Sequence, residues 1–151
     1  MARDEKKDLS AAEWKIMKIA WELRKAMARE IYTIAGRDHS WSPATVKTLL
    51  RRLVDKGYLR TTKVGNGFIY RPAESALTSL RSAADTLLVN AANGTTAPLL
   101  AHMVEQTALS EDDLDSLQRL IDEKKRALRK EKASSPSNQK NAIESGRRSK
   151  P

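Results

Sequence analysis

Between Ser42 and Pro72 the hydrophobic period changes from that of a helix to that of a strand, with a single glycine at the change. Val46, Leu49, Leu50, Leu53 and Val54 recur at steps of three and four, the spacing of one inward helix face. Ser42 precedes them as a preferred cap. Pro43 takes the first helical position, where its missing N–H costs no hydrogen bond, and Gly57 stops the helix. Two β-like runs come next, Tyr58 to Val64 and Phe68 to Pro72, around Gly65-Asn66-Gly67, and glycines there favour a hairpin turn.

Two helices are predicted upstream. Ser10 with Glu13 forms a capping box, and Leu9 and Trp14 stand at the staple positions around it. That helix runs to about Arg24, with Trp14, Met17 and Trp21 in one apolar row and Ile16, Ala20 and Leu23 in another, a stripe wide enough for a central helix. A shorter helix is predicted from Ala28 to Ala35, with Gly36 as its left-handed stop and residues 37–41 as a turn. The tryptophans could be mistaken for a stacking platform for single strands. The helical row of Trp14 and Trp21 favours the core instead, and Trp41 is expected to pack under the turn.

Three helices and a hairpin describe a winged helix-turn-helix, whose second motif helix enters the major groove of duplex DNA. On the third helix Thr45, Thr48 and Arg52 align at i, i+3 and i+7, beside a row of Ala44, Lys47 and Arg51, behind Ser42. This face carries three cations and no acid before Asp55. Hydroxyls can bond phosphates or base edges and leave a methyl for thymine, and arginine can grip guanine or phosphate. Arg60, Thr61 and Lys63 make the hairpin a basic wing.

Charge distribution agrees. Residues 1–72 hold 16 Lys/Arg against 8 Asp/Glu, whereas residues 73–132 hold 8 against 10. The excess cation sits in the first segment, and a polyanion is the obvious partner. With no cysteine and two histidines, a disulfide framework, a Cys-based metal site and a thiol switch are excluded. No catalytic constellation, cofactor motif or metal cluster is recognisable, so an enzyme is not expected. No apolar run approaches the length of a membrane span and the charged start leads into no signal-peptide core. A cytoplasmic protein with no membrane partner is the simplest expectation.

After Pro72 the pattern changes. Leu77, Leu80, Ala84, Leu87 and Ala91 step by three and four, an interhelical seam. Asn93-Gly94 breaks that helix. A short helix follows from Leu99 to about Gln106, and Ser110 caps a last one with Leu114, Leu117, Ile121 and Leu128 in a row. The fold class expected is mainly α with a small β-hairpin. Residues 1–8 are read as a flexible N-terminus, 9–72 as the winged-helix DNA-binding domain, 73–132 as a helical dimerisation domain and 133–151 as a disordered basic tail.

The stretch from Leu9 to Pro72 resembles the penicillinase repressor (BlaI/MecI/CopY) family. The resemblance lies in Leu-Ser-Ala-Ala-Glu-Trp at 9–14, Ile-Met-Lys-Ile-Ala-Trp at 16–21, Ala-Arg-Glu-Ile at 28–31, the run 45–53 and Lys56-Gly57-Tyr58-Leu59. It continues more loosely to about Lys132. It implies a homodimeric repressor of a short inverted-repeat operator. Thr45, Lys47, Thr48 and Arg52 would be recognition-helix positions, and the helices after Pro72 would dimerise. On those helices the seam residues expected to meet a partner are Leu77, Leu80, Leu87, Leu99, Met103, Leu114, Leu117 and Ile121. One branch of the family is inactivated by a regulatory protease, typically at an Asn-Phe bond, and the aligned dipeptide here is His102-Met103. The copper-responsive branch uses C-terminal cysteines, which this chain lacks. The rival readings are a winged-helix protein–protein module, whose basic face binds an acidic partner, and a nonspecific DNA-binding protein.

Overall fold

The computed structural model describes residues 6–135. Six helices and three strands follow in the order α1 (Ala11–Leu23), β1 (Ala26–Met27), α2 (Ala28–His39), α3 (Pro43–Asp55), β2 (Leu59–Val64), β3 (Gly67–Pro72), α4 (Ala76–Asn90), α5 (Thr96–Gln106) and α6 (Glu111–Ser134). The architecture is the expected mainly helical one with a small antiparallel sheet.

Serines cap the starts of α1, α3, α4 and α6. Ser10 accepts from the Glu13 N–H at 3.2 Å while the Glu13 carboxylate accepts from the Ser10 N–H at 2.8 Å. Ser110 and Asp113 repeat that box on α6. Ser42 accepts from the Thr45 N–H at 3.2 Å, with Pro43 inside the first turn. Each bond satisfies a donor that the helix itself leaves orphaned. At the other end of α3, Gly57 takes φ 81, a backbone state that costs glycine nothing, and turns the chain into the hairpin.

The sheet order is β1-β3-β2, antiparallel throughout. Leu59 pairs with Pro72 and Val64 with Gly67, leaving Gly65-Asn66 as a two-residue turn with Gly65 at φ 58. β1 is an element the sequence reading did not include: Ala26 pairs with Tyr70 and Met27 with Ile69. The core lies among α1, α2, α3 and the sheet. Ile16, Met17, Ile31, Val46, Leu50, Leu53 and Leu59 are buried there, with Trp21 and Trp41 packed partly against them.

α2 is longer than its expected end at Ala35. It continues to His39, Gly36 lies inside it, and the left-handed residue is Ser40 at φ 56, whose N–H donates to the Gly36 carbonyl at 3.0 Å. Residues 37–39 are therefore helical rather than a turn. Trp41 lies beyond that cap, 4.9 Å from the His39 ring and under the Lys15 ammonium at 5.6 Å.

Residues 6–8 are not free, in contrast to the expected flexible start. The Lys6 ammonium pairs with Glu74 and sits 5.0 Å from the Tyr58 ring centre, and the Tyr58 hydroxyl donates to the Lys7 carbonyl at 3.2 Å. Residues 1–5 lie outside the described residues.

The chain divides into two compact units, one through Asn93 and one from Gly94. α4 therefore groups with the three-helix core, and the division falls some twenty residues later than the domain boundary read from the sequence at Pro72. Contacts at the root of α4 explain this: the Trp21 indole N–H donates to the Glu74 carbonyl at 3.0 Å, and Ser79 is buried. The second unit consists of α5 and α6, with no residue of either fully buried. α6 runs through Ser134, so the first two residues of the expected tail are helical. The rest of that tail, from 136, lies outside the described residues.

Candidate nucleic-acid interface

α3 presents two different sides. Val46, Leu49, Leu50 and Leu53 are buried, while Ser42, Ala44, Thr45, Lys47, Thr48, Arg51 and Arg52 are all exposed. The structure thus brings every recognition residue named from the sequence onto one solvent face. Among the described residues the ion pairs are Lys6–Glu74, Arg37–Asp38 and Lys56–Glu13. Lys47, Arg51 and Arg52 enter none of them, so their charge is open to an outside anion.

The threonine hydroxyls are more engaged than expected. Thr45 Oγ1 lies 3.0 Å from Ser42 Oγ, and the Thr48 hydroxyl donates to the Ala44 carbonyl at 3.1 Å. Both protons have partners within the helix or can take one, so these residues offer a ligand acceptor lone pairs and methyl groups. The charged donors on this face are Lys47, Arg51 and Arg52, beside whichever of the Ser42 and Thr45 hydroxyls does not donate to the other.

The helix is anchored at its far end by a contact the sequence reading missed. Lys56 donates to the Glu13 carboxylate at 2.7 Å and to the Asp8 carbonyl at 2.9 Å. Glu13 is 2% exposed. Burial alone would raise its pKa. The Lys56 ammonium and the Ser10 N–H and hydroxyl outweigh that and hold the carboxyl below its ordinary value of 4.5. Glu13 was legible as a cap. Its second role needed the long-range approach of Lys56, which no local spacing reveals.

The wing is basic on both of its faces. By strand alternation Leu59, Thr61 and Lys63 share one face with Pro72, Tyr70 and Phe68. Arg60, Thr62 and Val64 share the other with Arg71, Ile69 and Gly67. Arg60 and Lys63, grouped together from the sequence, therefore point to opposite sides, and Arg71, absent from that group, stands directly across from Arg60.

The residues expected to meet a partner copy are accessible. On α4, Leu77, Leu80 and Leu87 are each more than half exposed. In the second unit Met103, Leu114, Leu117 and Ile121 are exposed and Leu99 is half-buried. Leu88, Val89, Leu100 and Leu120 are exposed as well, so the apolar faces are wider than the narrow seam the spacing suggested. His102 and Met103 lie in the middle of α5. Among the described residues no group of His, Cys, Asp and Glu could hold a metal, and no helix is long and apolar enough to cross a membrane.

Residues 9–123 match the penicillinase repressor family. An uncharacterised 16.5 kDa protein of Latilactobacillus sakei is 31% identical over 114 residues, 76% of this chain and 78% of that protein. The penicillinase repressor of Bacillus licheniformis is 28% identical over 117 residues, 78% of this chain and 91% of the repressor. Among solved structures, the DNA-binding domain of the repressor BlaI is 31% identical, covers 49% of this chain and 90% of that domain, and superposes with a TM-score of 0.45.

Proposed function

Because the chain belongs to the penicillinase repressor family, we propose that it is a dimeric transcriptional repressor that reads a short inverted-repeat operator through α3 and the wing. The family's members are DNA-binding repressors and not enzymes. The single observation that carries the reading on this chain is the exposed side of α3. Lys47, Arg51 and Arg52 stand there without acidic partners among the described residues, on a helix capped by Ser42 and pinned by Lys56.

In such a dimer two copies of α3 enter successive major grooves roughly 34 Å apart on a two-fold site. Affinity comes mostly from phosphate neutralisation and falls steeply with salt. Base choice comes from a few side chains at roughly 1–3 kcal/mol per good contact. Bound across a promoter in the cytoplasm, the dimer excludes polymerase. The exposed leucines of α4, α5 and α6 supply the apolar surface for pairing. A regulatory protease acting at His102-Met103 would have to unwind α5 first, because that bond lies in helix, and the cut would sever part of the pairing surface from the reading head.

Selection from a randomised duplex pool tests this. The wild-type chain should enrich a short two-fold-symmetric sequence, and K47A combined with R52A should abolish its footprint there. Equal protection of every duplex would reduce the protein to a nonspecific DNA binder. Failure to bind any duplex would favour the protein–protein module.

A further inference from the structure

Arg60 and Arg71 are direct partners across the β2–β3 ladder, and both are exposed. Side chains opposite each other in an antiparallel pair stand about 4.5–5.5 Å apart at Cβ, and like charges so placed repel. Neither arginine enters any of the ion pairs among the described residues. The strand alternation sets the rung on the outer face of the sheet: Leu59, next to Arg60, is buried, as is Ala26, whose partner Tyr70 precedes Arg71. Thr62 adds a hydroxyl two residues along on the same outer face. Lys63 belongs to the other face, on a rung with Phe68.

We infer that Arg60 and Arg71 form a two-guanidinium clamp for one backbone phosphate of duplex DNA. A guanidinium presents a planar fork of donors that matches phosphate geometry. A phosphate held between two forks also cancels the repulsion that the unbound hairpin carries. The inference rests on the DNA-binding reading above and refines it. α3 reads bases, and the clamp fixes where the hairpin sits along the backbone without a base preference of its own.

The test compares the full-length wild type with R60Q, R71Q and the double variant R60Q/R71Q. Each is titrated over a range of salt against the duplex selected by the wild type and, in parallel, against a random duplex. Each single variant should lose affinity roughly tenfold. The double variant should lose little more than either single, because one phosphate has already lost its clamp. Its slope of log affinity against log salt should fall by about two for the dimer, one phosphate for each of its two hairpins. The ratio of selected to random affinity should hold, and the melting temperature of the double variant should equal or exceed that of the wild type. A slope change near four with additive losses would assign the arginines to separate phosphates and overturn the clamp. So would unchanged binding, or a lowered melting temperature, which would make the pair structural. Failure of the underlying reading shows elsewhere, as a wild-type chain that binds neither duplex.

Discussion

Glu13 belongs to two bonding systems at once, closing the first helix and holding the end of the third. Its folded-state pKa is depressed below 4.5. The linked stability is therefore present above that pH and is lost as the pH falls through the lower folded value. Glu13→Gln should cost about 1–3 kcal/mol near neutral pH. The gap in melting temperature between wild type and variant should close on acidification below 4.5, and thermal melts followed by circular dichroism down to about pH 3 would show it. A gap that stays constant would mean the carboxylate charge contributes nothing. Which single residues were legible follows from range. Ser10, Ser42 and Gly57 act on neighbours within four positions and could be read directly. Lys56 reaches Glu13 across 43 positions, and Arg71 becomes Arg60's partner only through strand register.

Elements follow the same division. α1 and α3 carry cap, apolar stripe and stop in agreement, so their limits could be read within a residue or two. α2 could not, because Gly36 looks like a stop locally, while in the fold the chain gains one further turn before Ser40 closes it. An added Cβ at Gly36 would meet the Trp41 carbonyl at 3.6 Å, ordinary contact, so nothing forces a break there. β1 is two residues long, too short for any alternation to show. It exists because β3 offers it a free edge. The cap on α3 gives a clean test of the element. Ser42→Ala should destabilise the protein by about 1 kcal/mol, read as a lower urea midpoint with an unchanged slope. A midpoint within error of wild type would mean the Thr45 N–H finds water at no cost.

For the molecule as a whole, the three-helix reading head and its hairpin were legible, and the grouping of α4 was not. Its seam leucines gave it the pattern of a pairing helix, while the Trp21–Glu74 bond at its root and the burial of Ser79 attach it to the core. In the proposed dimer, that makes α4 the element on which assembly would bear most directly. In a dimer held through this face, Leu87→Asp should shift the sedimenting species to a single chain and weaken binding to the selected duplex more than a hundredfold, since each chain then grips only one half-site. Unchanged mass and affinity together would remove α4 from the interface. The bond from Trp21 to the Glu74 carbonyl has one more use. An indole released from such a bond into water emits at longer wavelength, and Trp21 sits at the N-terminal end of α4 with Trp14 only 5.9 Å away. The chain therefore carries its own fluorescent gauge of that joint, and any duplex or proteolytic event that strains it should announce itself as a red shift, with no dye attached.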